Sequence, residues 1–143
     1  MANFAKTVLV DTGFWYALYT EDDQFHTDAQ QKGYLLESTN VLIPWPSLYE
    51  TFNSKLAKNK IALRSFEHLL RQTHITLLPD EPYRNAALEA SLEMALIRSR
   101  NIALVDMVIR LILEDNNVRK HGLLTFDPKD FSDVCRQYHI EML

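Results

Sequence analysis

The sequence predicts an α/β fold with a central parallel sheet of four or five strands between two layers of helices, a three-layer α/β/α arrangement. Two observations predict it. Short β-branched or apolar runs alternate with longer helical patterns along the chain, the order that builds parallel β-α units. The 143 residues, 47% apolar and 24% charged, have the size and balance of one globular domain, read as 1–143. A chain of this length buries roughly two-thirds of its unfolded surface, so a core forms without covalent staples.

The elements follow in order. Thr7 to Val10 reads as a buried strand, and Phe14 to Tyr19 as a short helix entered through Thr12. His26 to Ser38 reads as one polar helix. Val41 to Ile43 is a second strand, stopped by Pro44 and Pro46. Ser47 and Glu50 form a Ser-x-x-Glu capping box, which predicts a helix from Ser47 to about Lys58. Another helix is expected from about Leu63 to Thr73, and a third strand from Ile75 to Leu78, ended by Pro79. Tyr83 to Arg100 reads as a long helix with Ala87, Leu88, Leu92, Ala95 and Leu96 on one face. Val105 to about Asn116 is apolar on most sides and is expected to be buried. Gly122 to Thr125 is a fourth strand, and Ile140 to Leu143 is an edge strand.

Composition excludes several chemistries. Cys135 is the only cysteine, so neither an internal disulfide nor a cysteine zinc site can form. His26, His68, His74, His121 and His139 lack metal-ligand spacing. No glycine-rich phosphate loop and no nucleophile elbow is present. Asp11-Thr12-Gly13 lacks the second Asp of haloacid-dehalogenase-type phosphatases. Met1 to Val10 has no long apolar segment, and Ile102 to Leu113 is too short to span a bilayer. A cytoplasmic protein without membrane association is expected. The net charge of −4 and a pI of about 5.7 argue weakly against nucleic-acid binding. Carboxylates gathered around a cation would soften that objection.

Four acids fall at informative places. Asp11 follows the first strand, Glu50 lies early in the helix after the second, Asp106 opens the buried helix, and Asp127 follows the fourth strand. In a parallel sheet these positions share the edge where ligands bind. Two carboxylates about 4 Å apart repel by roughly 4 kcal/mol at an effective dielectric near 20. Such a cluster raises its own pKa values or captures a cation, and hard oxygen ligands select Mg²⁺ or Mn²⁺. A cation there can activate water toward a phosphodiester and stabilise the leaving oxygen. The spacing is compatible with one ion or two.

Each acid also has a plainer reading. Asp11 can cap the following helix. Glu50 can serve only the capping box. Asp106 can pair with Arg110 at i,i+4. Asp127 before Pro128 is an ordinary N-cap pattern.

The ordered set resembles the motifs of PIN domains. Val8-Leu9-Val10-Asp11-Thr12 is similar to the family's opening strand, and Pro46-Ser47-Leu48-Tyr49-Glu50 to its second motif. Leu104-Val105-Asp106 is similar to the third, and Leu123-Leu124-Thr125-Phe126-Asp127 with Lys129-Asp130-Phe131 to the closing Thr-x-Asp and trailing Asp-Phe. The resemblance covers nearly the whole chain. It departs where the family's helix carries small residues and this chain has Met107, Ile109, Arg110 and Leu111. The resemblance implies a PIN-like fold and Mg²⁺- or Mn²⁺-dependent endoribonuclease activity. Asp11, Glu50, Asp106 and Asp127 would be catalytic metal ligands, Thr12 and Thr125 their orienting partners, and Asp130 a substitute for Asp127. It further implies a VapC-type toxin that cuts RNA, an antitoxin partner and a homodimer. Lys55, Lys58, Lys60 and Arg64 form the best basic group, either a solvated helix face or an RNA-phosphate contact. The alternatives are a non-catalytic PIN-like RNA- or protein-binding module and a phosphoesterase acting on small phosphates.

Overall fold

The computed structural model describes residues 3–143. Met1 and Ala2, the start of the stretch read as lacking a leader, lie outside the described residues. The elements run β1 (Thr7–Val10), α1 (Thr12–Tyr19), α2 (His26–Lys32), α3 (Leu35–Ser38), β2 (Asn40–Pro44), α4 (Trp45–Phe52), α5 (Lys60–Leu70) and β3 (Ile75–Leu78). They continue through α6 (Arg84–Leu96), α7 (Leu104–Glu114), β4 (Gly122–Leu124), α8 (Ser132–Gln137) and β5 (Glu141–Met142). Short 3-10 turns occupy Lys55–Lys58, Glu81–Tyr83 and Pro128–Asp130.

All strand pairs are parallel, in the order β3-β2-β1-β4-β5. The period of two along each strand divides the core. Val8, Val10, Val41, Ile43 and Leu124 pack with Phe14, Trp15, Leu48, Leu56 and Phe66 on one face. Leu9, Leu42 and Leu123 pack with Met107, Ile109, Ile112, Phe131 and Val134 on the other. Helices α1, α4 and α5 therefore cover one side and α7 and α8 the other, giving the three layers. Gly122 sits at a close approach of β4 and β5: a Cβ there would lie 3.2 Å from the Glu141 carbonyl oxygen and would displace the Leu143 side chain. Among the described residues no helix is long and apolar enough to cross a membrane.

The order fixes where a ligand can enter. From β1 the chain moves to β2 and β3, whereas from β4 it moves to β5 on the other side. The connections thus diverge between the neighbouring strands β1 and β4, and the crevice beyond their carboxyl ends is where such sheets bind ligands.

Several expected boundaries shift for local reasons. The expected helix His26 to Ser38 is two helices, interrupted at Gly33 and Tyr34. Helix α4 begins at Trp45 with Pro44 as its N-cap, so Ser47 lies inside the helix and no capping box forms. It ends at Phe52, and Asn53 at φ −102°, ψ 21° precedes the 3-10 turn, so no helix reaches Lys58. Asn59 caps α5 by accepting from the Ile61 and Ala62 amides at 3.1 and 3.2 Å, which starts that helix before Leu63. Helix α6 stops at Leu96, short of Arg100, and Ser99 takes a left-handed φ of 53°. Its core contacts are Ala87, Ala90 and Met94. Leu88, Leu92 and Leu96, spaced i,i+4,i+8, form a separate stripe and are 49%, 47% and 79% exposed. Arg110 does not pair with Asp106; it bonds Asp133 at 2.7 Å.

Candidate metal centre

The buried strand β1 delivers Asp11 to the β1/β4 crevice, and the Asp11 amide continues the ladder to the Leu124 carbonyl at 3.0 Å. The Asp11 side chain is buried and oriented at both oxygens. Oδ1 accepts from the Thr12 amide at 2.7 Å, which caps α1, and Oδ2 accepts from the Thr125 hydroxyl at 2.9 Å. The plain capping reading of Asp11 therefore holds for one oxygen, while the other faces β4.

Glu50 comes from α4. Its Oε1 accepts from the Thr12 hydroxyl at 2.9 Å, so the residue read as a capping-box partner is tied to α1 instead. Asp106 lies in the first turn of α7, where the helix dipole favours a negative charge. Asp127 heads the 3-10 turn Pro128–Asp130 with Pro at N1, yet its side chain makes no cap bond. Its amide donates to Thr125 Oγ1 at 3.0 Å.

The structure brings Asp106, Asp127 and Asp130 together: one carboxylate oxygen from each lies within 4.8 Å of the others. The turn presents Asp127 and Asp130 together, so both carboxylates lie beside Asp106. The i,i+3 spacing of Asp127 and Asp130 across Pro128 is the sequence signal for this one tight turn. Asp11 and Glu50 border the trio and interact with Asp106 electrostatically.

The electrostatics follow from this crowding. Burial pushes the Asp106 carboxyl up to about 7, helped by the negative fields of Asp11, Asp130 and Glu50. Burial likewise raises Asp11 to about 6, against the hydrogen bonds from Thr125 and Thr12 that favour its anion. Asp127 is also raised, by burial and then by Asp130. Among the described residues no salt bridge reaches Asp11, Glu50, Asp106, Asp127 or Asp130. An all-oxygen set, close-set and without a direct ion pair, fits a hard divalent cation. Asp106, Asp127 and Asp130 are the groups placed to hold it, with Asp11 and Glu50 beside them.

The basic group is spread over different surfaces. Lys55 and Lys58 line a concavity with Tyr16, Phe52 and Asn53, one helical turn beyond Thr12 and Glu50. Lys60 and Arg64 line a separate groove of about 520 Å³ with Leu63, Leu70 and Leu77.

No protein-family model matches the chain, and no curated protein sequence matches it. Solved structures do. The chain is similar to VapC20 of Mycobacterium tuberculosis, a toxin that cleaves the sarcin-ricin loop, with a TM-score of 0.68 and 18% identity over 88% of this chain and 94% of that one. It is also similar to VapBC2 of Rickettsia felis, solved bound to a DNA fragment from its promoter, with a TM-score of 0.61 and 12% identity over 96% and 97%. The chain has the α/β/α fold of these proteins, the PIN-like fold that its motifs resemble.

Proposed function

We propose that this chain is a Mg²⁺- or Mn²⁺-dependent endoribonuclease that acts as the toxin of a toxin-antitoxin pair. The observation that carries the reading is the convergence of Asp106, Asp127 and Asp130 beside Asp11 and Glu50 at the β1/β4 divergence, with no salt bridge to any of them among the described residues. The likeness to VapC20 and VapBC2 supports an RNA substrate and an antitoxin partner, and the proposed assembly is a homodimer.

The chain's residues divide the work. Asp106, Asp127 and Asp130 hold the cation, and Asp11 and Glu50 complete its negative surroundings and hold water. Thr125 fixes Asp11 and the Asp127 amide with one hydroxyl, and Thr12 fixes Asp11 through its amide and Glu50 through its hydroxyl. When bound, the cation polarises a phosphodiester and makes water a stronger nucleophile. Asp106, whose carboxyl is raised to about 7 by burial, would have to be ionised to hold a cation, so cation binding would be linked to proton release. Lys55 and Lys58 are the cations placed to meet the RNA backbone beside this site.

The test is cleavage of a panel of structured RNAs with Mg²⁺, Mn²⁺ or EDTA, comparing wild type with Asp106→Asn. Metal-dependent cleavage lost in the variant is the expected result. RNA binding that persists in EDTA, without cleavage under either metal, would instead identify a binding module.

A further inference from the structure

The acid-bearing turn is gripped from behind by a group for which the proposed reaction has given no role. Arg110 is 7% exposed, one helical turn after Asp106 on α7. Its Nη1 donates to the Asp130 main-chain carbonyl at 2.8 Å and to Asp133 Oδ1 at 2.7 Å, and its Nη2 donates to Asp133 Oδ2 at 2.9 Å. Arg100 adds a second hold. Its Nη1 donates to Asp133 Oδ2 at 3.2 Å and its Nη2 to the Lys129 carbonyl at 2.9 Å. The main-chain carbonyls of Lys129 and Asp130 are thus both fixed by guanidinium groups, and Asp133 locks the two arginines together.

We infer that Arg110, held by Asp133 and assisted by Arg100, is a positioning residue that sets the Asp127–Asp130 turn so that its carboxylates meet Asp106. The inference rests on the reading of that cluster as a metal site. Its geometry is economical. The same face of α7 carries Asp106 and, at i+4, the side chain that fixes the backbone of the acids opposite. The trio is held together against its own repulsion: the Asp127 amide on Thr125 Oγ1 and the buried Phe131 anchor the two ends of the turn, and the guanidinium groups hold the carbonyls of Lys129 and Asp130 between them. A planar guanidinium is suited to this because its fork holds a carboxylate with both arms while one arm also reaches a carbonyl. A lysine carries the charge without the fork. Arg110 is buried, so the pair with Asp133 compensates its lost hydration, and its position is fixed accordingly.

The test is Mn²⁺ affinity by calorimetry, together with amide exchange of residues 129–131 in the metal-free protein. The variants are Arg110→Met, Arg110→Lys, Asp133→Asn and Arg100→Met, with Arg71→Met as control because the exposed Arg71, just after α5, pairs with Glu67. Supporting groups around metal ligands typically contribute 10–100-fold to affinity. Arg110→Met and Asp133→Asn are expected to weaken Mn²⁺ binding at least about 10-fold, and Arg110→Lys to remain weakened despite its charge. Exchange at 129–131 should rise. Arg100→Met, with a half-exposed side chain, should fold as wild type and show a smaller loss. Wild-type affinity in all four variants would overturn the clamp, as would full recovery in Arg110→Lys, which would make charge alone sufficient. Wild type that binds no Mn²⁺ would overturn the metal reading itself, a different result from a wild type that binds while its variants bind equally well.

Discussion

The Thr125 hydroxyl stands between Asp11 and Asp127. It donates to Asp11 Oδ2 at 2.9 Å across 114 residues of sequence and accepts from the Asp127 amide at 3.0 Å. One hydroxyl therefore sets the carboxylate that ends β1 and the backbone that leaves β4. Removing it in Thr125→Val, at nearly constant volume, is expected to lower cleavage and Mn²⁺ affinity by roughly 10–100-fold. Thr125→Ser, which keeps the hydroxyl, should recover most of the loss. Equal activity of Thr125→Val and wild type, measured as kcat/KM on one RNA, would remove the hydroxyl from the mechanism.

Asp127 and Asp130 provide a second prediction, because the turn delivers both to Asp106. If the trio acts as a unit, Asp127→Asn and Asp130→Asn each weaken Mn²⁺ binding, by about 10-fold or more on the scale of groups that support a metal. Both should also leave the fold intact, since each substitution relieves repulsion. A loss confined to Asp127→Asn, with Asp130→Asn indistinguishable from wild type by calorimetry, would return Asp130 to the role of a bystander.

The raised acids predict an unusual pH dependence for the metal-free protein. Asp11 and Asp106, at about 6 and 7 when folded, give up their protons near 3.8 when unfolded. The folded chain therefore binds more protons in that window, and stability falls as pH rises through it. For the deeply buried Asp11 the loss is on the order of 3 kcal/mol. Asp133 works in the opposite sense. Arg110 holds its carboxyl well below the ordinary range, so its stabilisation is present above about pH 4 and is lost as pH falls further. Thermal unfolding in EDTA should therefore give a higher Tm near pH 5 than near pH 8, and Mn²⁺ should raise Tm more at pH 8. A Tm that is level between those values would mean that the acids are not crowded.

The strands and the acids were legible in the sequence because each depends on local pattern. Thr7–Val10 and Ile75–Leu78 match their expected spans, and Asp11, Asp106 and Asp127 follow from strand and helix ends. What could not be read depends on distant partners. Arg110 and Asp133 are 23 residues apart, and nothing near Arg110 announces the pair, whereas Asp106 at i−4 offers a false one. The leucine stripe of α6 misled for a related reason: Leu88, Leu92 and Leu96 have helical spacing, but the core takes the neighbouring face of Ala87, Ala90 and Met94. Ser47 is the sharpest case. The motif Ser-x-x-Glu reads as a cap, yet its hydroxyl is buried without a partner and Glu50 bonds Thr12. A true cap replaced by Ala costs about 1 kcal/mol. Ser47→Ala should instead be neutral or stabilising by denaturant titration, because it removes an unsatisfied buried hydroxyl.

The basic residues separate by position rather than by charge. Lys55 and Lys58 share a concavity with Tyr16 and Asn53, each one turn from a residue of the acidic site, whereas Lys60 and Arg64 face an apolar groove beside Leu70 and Leu77. On the proposed function, an RNA backbone leading to the acids would pass the first pair. Lys55→Ala and Lys58→Ala should raise KM with little change in kcat, since a phosphate contact remote from the reacting bond binds ground and transition states alike. Each contact removed should also reduce the dependence of log affinity on log salt by roughly 0.7 for a single strand. Lys60→Ala and Arg64→Ala should leave both quantities near wild type. Equal effects at all four positions would show that the group acts through its summed field. An effect only at Lys60 and Arg64 would place the RNA over the groove lined by Leu63, Leu70 and Leu77 instead.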